Sequence, residues 1–560
     1  MQGLMQSYPL TVRMIIERME SHFAHKRVTT LRGGEKRITS YGQLIDRVRK
    51  LSAALRNQRL KPGDFVSTLM WNCQEHLETY LAVPAMGGVV HTINARVQPA
   101  AITFMLAETR PRMIIADLTL LDTLLKATLP DSVETVLVVG TQEDAPMPAV
   151  PGQKASWLSF EDFLASTDIA CSWPDLDENS ACGACYTSGT TGKMKGVLYS
   201  HRSTVLHAMA MMNVDGIALS EHDVCMTVVP MFHAHGWGFP HGSCLSGASQ
   251  ALSVRQADPE TLADLIEDAG VTIATAVPTV WINMLEKIRS GEIPPKKLAS
   301  LRRLPIGGAA VSADLMNGFA DLGITVQHCW GMTEVSPLGL VSTRRSGVSD
   351  TEWSQLRLRQ GISLAGCEMR VMNDKGARVP SDGFSGGELQ MRGPWVADSY
   401  FDPDKPGHRG GDDKFETDME GRRWLKTGDI ATIDEHGYVK IVDRDKDLIK
   451  SGGEWISSLD LESALSEHPA VHEVAVVAIP DAVWQERPLA YVALSNNWCG
   501  PSPDFASYLE PRFPRWQIPE RFIVLGELPK GATGKINKMR LRQLSCASAE
   551  SISRSPDRKT

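Results

Sequence analysis

Between residues 65 and 140 short apolar runs alternate with stretches of helical periodicity, and few architectures accept that order. Phe65–Trp71, Val89–Asn94, Met113–Asp117 and Val136–Gly140 read as strands, with helices over His76–Gly87 and Ala100–Glu108 between them. Consecutive strands joined through a helix pair parallel, because the crossover returns the chain to the same edge of the sheet. The alternation resumes later, with strands over Asp223–Pro230, Val271–Val277, Arg303–Ile306 and Ile324–Cys329 and a helix over Leu262–Ala269. The pattern predicts an α/β fold with largely parallel sheets. At 560 residues the chain is too long for one core, so two or more domains are expected. Residues 11–60 read as helix, a short basic turn and a second helix, whose apolar face carries Ile45, Val48, Leu51 and Leu55.

One loop stands out against this frame. Tyr186–Gly196 places Thr187, Ser188, Gly189, Thr190, Thr191, Gly192, Lys193, Met194 and Lys195 directly behind the small, apolar strand Ser180–Cys185. Glycines let the backbone approach a ligand closely, while hydroxyls, free N–H groups and lysines suit phosphate oxygens. The reading is a phosphate cradle at a strand end; a flexible surface loop is the competing one. It is not a Walker A loop, because Thr187 and Met194 stand where that pattern requires glycine and Ser or Thr. A helix over Ser200–Met212 brings its N-terminus toward the same region.

In open α/β sheets ligands sit beyond the carboxyl ends of the strands, so strand ends at 186, 231, 307 and 330 can share one cleft. Those ends carry Met231-Phe232-His233, Gly307-Gly308-Ala309-Ala310 and Trp330-Gly331-Met332-Thr333-Glu334. Glu334 offers a hard oxygen for Mg2+, Thr333 a phosphate donor and Trp330 a flat face for a base. Phe232, His233 and Trp237 form a substrate-pocket wall; His233, His235 and His241 lack the Asp, Glu or Cys that would favour a metal set. Cys182 and Cys185 form a lone CxxC, read as small strand residues.

From Gly361 charge and glycine rise and short alternating runs predict a smaller β-rich subdomain, about 361–442, in which Asp429 can accept from two ribose hydroxyls. A charged connector at 443–448 marks a boundary before a small α+β domain at 449–545, leaving 1–442 as the large N-terminal domain. Lys535, beside glycines, can reach into a neighbouring cleft or stand as a solvated surface lysine; residues 546–560 read as a disordered tail. A net charge of −8 gives no general basic surface for nucleic acid. No secretory signal, no apolar run of membrane-spanning length and no peroxisomal C-terminus is read, and ten scattered cysteines fit reduced thiols in a cytoplasmic protein.

Taken in order, the loop at 186–196, Met231–His233, Gly307–Ala310, Trp330–Glu334, Thr427–Asp429, Asp443–Lys446 and Thr533–Lys535 resemble the adenylate-forming superfamily of acyl-CoA synthetases, luciferases and peptide-synthetase adenylation domains, over roughly residues 8–545. Phe232–Trp237, Ile449–Ser458 and Trp484–Pro488 most resemble the long- and medium-chain fatty acyl-CoA synthetases, a branch that also holds ligases for aryl and thioether acids. The resemblance implies a large α/β domain hinged to a small mobile one, and a two-step reaction. A carboxylate attacks the α-phosphate of ATP to give acyl-AMP and pyrophosphate; CoA then takes the acyl group and releases AMP. It implies that Thr187 to Lys195 hold the β- and γ-phosphates and that Thr187 and Glu334 place Mg2+. Gly308 and Trp330 would border the adenine, with Gln327 nearby, Ala309 and Gly331 would belong to the same ATP/AMP site, Thr333 would meet the α-phosphate, Asp429 and Arg444 the ribose, and Lys450 and Trp455 the nucleotide. Lys535 would bridge carboxylate and α-phosphate, Lys446 would be the hinge, Gly452-Gly453-Glu454 would edge the CoA channel, and Trp237, with His233, would gate the acyl tunnel. The branch also implies a homodimer. One departure is Met194, where the family usually has proline. Alternatives are an aryl- or thioether-acid ligase, an enzyme loading a separate acyl carrier protein, and an idle binding protein that keeps the fold.

Overall fold

The computed structural model describes residues 1, 3–140, 154–167, 172–187, 194–255, 258–405, 407, 413–444, 447–451, 454–481, 483–495, 498, 500–531 and 536–552. The first alternating region builds a seven-stranded sheet in the order Ser156–Ser159, Thr135–Val139, Met113–Asp117, Phe65–Leu69, Val89–Thr92, Ala181–Thr187 and Lys195–Ser200. Its neighbours are parallel until the last pair, which is antiparallel because it is a hairpin around the glycine-rich loop. The strands Ser156–Ser159 and Lys195–Ser200 are additions to the sequence reading. The second region builds a nine-stranded sheet whose parallel centre includes Val224–Thr227, Ile273–Thr275, Arg303–Ile306 and Thr325–Gly331.

Residues 11–60 differ from expectation. Helices form over Val12–Phe23 and Tyr41–Asn57, but between them Arg27–Arg32 and Glu35–Ser40 make an antiparallel hairpin at the edge of the nine-stranded sheet. The turn is Gly33-Gly34, both at positive φ, as tight two-residue hairpins require. Charged residues on the exposed face mask the strand alternation. Ser40 then closes the hairpin and caps the next helix through a reciprocal bond with Gln43.

All twelve residues of the helix Gln74–Ala85 are buried, including five polar ones whose partners sit close by. Glu78 meets Arg47 at 2.6 Å, Gln74 donates to Glu78 at 2.7 Å and His76 bonds Thr68 at 3.0 Å. Such groups tolerate burial only when bonded, so these partners are what permit an internal helix. Just before it, Asn72 donates to the carbonyls of Thr227 and Val229 at 2.8 and 2.9 Å and accepts from Met231 N–H at 2.7 Å. One side chain thereby fixes the strand end at 231 against the first sheet.

The β-rich region forms a five-stranded antiparallel sheet, in which Arg423–Ile433 pairs with Gly387–Arg392, Phe415–Thr417 and Val439–Arg444. A smaller C-terminal domain follows, with its own five-stranded sheet and a core of Leu461, Leu465, Val476, Val492 and Phe505. The helix Lys538–Ile552 runs past residue 545, where the sequence reading begins a disordered tail. Its first half carries the helix formers Lys538, Met539, Arg540, Leu541, Arg542, Gln543 and Leu544, and Leu541 is fully buried; residues 553–560 lie outside the described ones. The two domains touch through Lys440 and Asp460 at 2.9 Å and through His472 and Glu286 at 3.6 Å. Among the described residues no helix is long and apolar enough to cross a membrane.

Candidate active site

The strand register sets Thr187 opposite Lys195, two ligand-capable side chains at the ends of the glycine-rich segment. Ser188, Gly189, Thr190, Thr191 and Gly192 lie outside the described residues. Cys182 and Cys185 are buried in the strand that leads to the loop, and burial pushes their thiols up to about 12 and about 11. Neither is a thiolate at neutral pH, which fits packing residues.

Across the cleft two strand ends crowd together. A Cβ on Gly307 would sit 2.8 Å from the Cys329 carbonyl, and one on Gly331 would overlap the Pro337 carbonyl. Only glycine permits that backbone contact, and it brings Gly308 and Ala309 beside the end of Thr325–Gly331. On that strand Gln327 and Trp330 face opposite sides, since side chains alternate. Gln327 donates to the Gly216 carbonyl at 3.0 Å, whereas the Trp330 indole N–H donates to Asp429 Oδ2 at 2.7 Å. Asp429 also pairs with Arg444 Nε at 3.5 Å, and the two stand in register on adjacent strands. Asp429 is 8% exposed, so its carboxylate is fixed by an indole and a guanidinium at the mouth of the β-rich sheet.

Thr333 and Glu334 form a short turn beyond Gly331. Tyr199, on the strand behind the loop, donates to the Thr333 carbonyl at 2.8 Å and so ties the two sheets at this point. Glu334 is 5% exposed; its Oε1 accepts from Tyr400 at 2.6 Å, and its carbonyl accepts from Ala397 N–H at 2.7 Å. The Lys195 ammonium lies 4.5 Å from the centre of the Tyr400 ring. Among the described residues no three His, Cys, Asp or Glu converge as a ligand set, so a cation here would rest on one carboxylate plus hydroxyl and phosphate oxygens. That donor set suits Mg2+, which keeps waters and shares substrate phosphates.

The pocket-wall stretch has an unusual backbone. Five successive residues, Ala234, His235, Gly236, Trp237 and Gly238, have φ of 43, 51, 60, 56 and 75°. Three are not glycine, and left-handed turns cost such residues energy. Buried histidines hold the turn. His235 fills the space above Gly183, where an added Cβ would overlap its ring, and it packs on Tyr80 and Tyr199 with ring centres 4.9 and 5.1 Å away. His207 occupies the matching space at Gly238, where a Cβ would be 2.5 Å from its Cε1. Burial drives His235 well below its usual range and His207 to about 3, so both are neutral. Trp237 packs half-buried against the core that contains Phe239, Trp330 and Leu338, Phe232 lies against Trp71, and His233 is half-buried.

In the C-terminal domain Lys450 pairs in register with Trp455, and Ser451 with Glu454; Lys446, Gly452, Gly453 and Lys535 lie outside the described residues. Three residues beyond Lys535, Lys538 donates to Ser458 at 2.6 Å and pairs with Glu462 at 2.7 Å. Ser458 in turn donates to Asp443 at 2.6 Å. The chain on either side of 445–446 is thereby joined by one buried polar network.

Sequence reasoning missed Tyr400, Tyr199, Asn72 and the histidine-filled notches. Tyr400 lies in Asp398-Ser-Tyr-Phe401, with nothing local to single it out; only its partners do.

A fold of two α/β sheets, a β-rich sheet and a small C-terminal domain, carrying this cleft, defines an adenylate-forming enzyme. The pattern of the AMP-binding enzyme family matches residues 17–401, and that of the AMP-binding enzyme C-terminal domain matches residues 460–535. The chain belongs to this family and is an AMP-forming acyl-CoA synthetase. It is 39% identical over 550 residues to a medium-chain-fatty-acid–CoA ligase of Ectopseudomonas oleovorans, covering 97% of each chain. It is 39% identical over 533 residues to a long-chain-fatty-acid–CoA ligase of Thermus thermophilus, covering 94% of each. The crystal structure of the anthranilate CoA ligase AuaEII in complex with anthranoyl-AMP superposes with a TM-score of 0.82 at 24% identity, covering 98% of this chain and 100% of that one, a likeness of fold.

Proposed function

We propose that the acid activated here is a medium- or long-chain fatty acid. The observation that carries this is the 39% identity, over nearly the whole of both chains, to ligases named for such acids. The half-buried Trp237 on its left-handed turn supports a gate between the nucleotide cleft and an acyl tunnel.

In the first step the carboxylate oxygen forms a bond to the α-phosphorus of ATP and the bond to the bridging oxygen of pyrophosphate breaks. Charge gathers on phosphate oxygens, so the chain must supply aimed donors and cations. In this reading Thr187, the loop to Gly192 and Lys195 hold the departing pyrophosphate. Trp330, with Gly308 and Ala309, lies along the adenine, Asp429 accepts from the ribose hydroxyls, and Arg444 fixes Asp429. Thr333 meets the α-phosphate. Glu334, with Thr187, would hold Mg2+, which offsets phosphate charge. Lys535 bridges the carboxylate and the α-phosphate. In the second step the CoA thiolate attacks the acyl carbon and AMP leaves. The domain boundary at 443–448 is the hinge, with Lys446 at its centre; rotation withdraws Lys535 and opens a CoA path past Gly452–Glu454. Such a rotation must rearrange the Asp443–Ser458–Lys538 network, and its bonds support one preferred orientation at rest. We place the enzyme in the cytoplasm as a homodimer.

A panel of carboxylic acids read by pyrophosphate release tests the assignment: medium- and long-chain fatty acids should react fastest. Faster turnover of benzoates or of methylthio-propionate would replace it.

A further inference from the structure

We propose that Tyr400 is a positioning residue for the adenylation step, its hydroxyl aiming the Glu334 carboxylate and its ring face seating the Lys195 ammonium. The tyrosine is held from three sides. Its hydroxyl donates to Glu334 Oε1 at 2.6 Å, its ring lies 4.5 Å from Lys195 Nζ, and the Phe415 ring backs it at 5.4 Å. It packs against Cys185, Val197 and Tyr199, the strands that carry the phosphate loop. The main chain on either side is fastened to the same two elements: Ala397 N–H donates to the Glu334 carbonyl at 2.7 Å, and Phe401 N–H donates to the Gly196 carbonyl at 2.8 Å.

This geometry addresses a difficulty of the site. A buried carboxylate and a lysine gathered at one tyrosine attract each other, and a collapsed pair would turn both away from the nucleotide. Tyr400 engages both at once. A cation over a ring face is drawn to the π-electrons and makes the phenol a stronger donor; the donor then fixes one oxygen of the carboxylate, Oε1, and with it the plane of the group. The ring face therefore holds one charge while the hydroxyl orients the other. The assignment rests on the reading of Glu334 as the carboxylate beside a divalent cation.

The test compares wild type with Tyr400→Phe, Tyr400→Leu and Glu334→Gln. ATP affinity is measured by calorimetry with and without Mg2+. The two half-reactions are followed as acid-dependent pyrophosphate release and as thioester formation from supplied acyl-AMP, using the acid that wild type activates fastest. Tyr400→Phe should keep Mg2+-free ATP affinity and thioester formation, lose most of the affinity that Mg2+ adds, and lower kcat for pyrophosphate release about tenfold, the worth of one charge-assisted bond, with the KM for ATP in the presence of Mg2+ rising by the lost increment. Tyr400→Leu should in addition weaken Mg2+-free ATP binding, because Lys195 loses its seat. Glu334→Gln should remove the Mg2+ increment. If Glu334→Gln removes it and Tyr400→Phe leaves both it and kcat intact, the role of Tyr400 is overturned. If Glu334→Gln leaves it intact, the reading of Glu334 falls and this proposal with it. Equal loss of both half-reactions in Tyr400→Phe would mark a structural effect and overturn positioning; equal Mg2+-free affinity in the Phe and Leu variants would overturn the part given to the ring.

Discussion

Gly183→Ala is the most economical way to disturb the acyl side of this site without touching a nucleotide contact. The residue is buried in the strand that leads to the phosphate loop, and its missing side chain is the space the His235 ring fills. An added Cβ would overlap His235 Cε1 and lie 3.0 Å from Nδ1, so the ring must leave. Overpacking of this kind costs about 1–3 kcal/mol. The turn above is already strained, since Ala234, His235 and Trp237 sit at positive φ, at roughly 1–2 kcal/mol each. A wedge of the same size as the strain releases the turn and moves Trp237. The prediction is a lower Tm, together with an altered order of preference among acids of different length, at unchanged KM for ATP. The double variant Gly183→Ala/His235→Ala should regain part of the stability, because the methyl then occupies vacated space, giving a coupling of about 1 kcal/mol or more between the two sites. Thermal unfolding and the acid panel read all three variants. An unchanged Tm and acid order in Gly183→Ala would refute the argument, as would strictly additive single and double variants.

Asp429→Ala should raise the KM for ATP by at least about tenfold and leave the order of acids unchanged, because it removes the carboxylate fixed by Trp330 and Arg444; kinetics at varied ATP check this. Lys535→Ala should abolish pyrophosphate release yet spare thioester formation from supplied acyl-AMP, and equal loss of both would contradict a role confined to adenylation. The fold should also be sensitive to mild acid. Burial lowers His76, His201, His241 and His328 to about 4 and His91 and His207 to about 3. Each takes up its proton in the unfolded chain near 6.5 and resists it in the fold. Stability is therefore full above that value and falls as pH drops through it toward 4, each histidine adding up to about 1.4 kcal/mol per pH unit. Tm measured from pH 7.5 to 5 should fall increasingly steeply, and a flat profile would remove the buried histidines from the account.

What the sequence reveals here follows from what is local. Most parallel strands of the two large sheets were legible because they are short apolar runs set between helices, whereas the half-exposed Ser156–Ser159 and the edge-side Ser249–Ser253 were not; the candidate site residues stood out because glycines and functional groups cluster at the strand ends. The hairpin at Arg27–Ser40 was not legible, since its outer face is charged and its pairing partner, Ser249–Ser253, lies more than two hundred residues away. The burial of Gln74–Ala85 was hidden by five polar residues whose partners, such as Arg47 and Thr68, come from other elements. The left-handed turn was hidden for a similar reason: His235 and Trp237 have no local cause for positive φ, and the cause is the empty space at Gly183 in another strand. Tyr400 belongs with these, a residue defined by its neighbours in space. Met194, read as the loop's departure from its family, packs beside Tyr186 against the core of the first sheet.

In the proposed reading this chain joins a fatty acid to CoA through an acyl-adenylate. The most direct measurement gives purified enzyme ATP, Mg2+ and each of a graded series of acids, and follows pyrophosphate before CoA is added and AMP after. Acid-dependent pyrophosphate followed by CoA-dependent AMP, greatest for medium or long chains, is the predicted result. Absence of pyrophosphate release with every acid tried, or AMP release only with a pantetheinylated carrier protein, would contradict it.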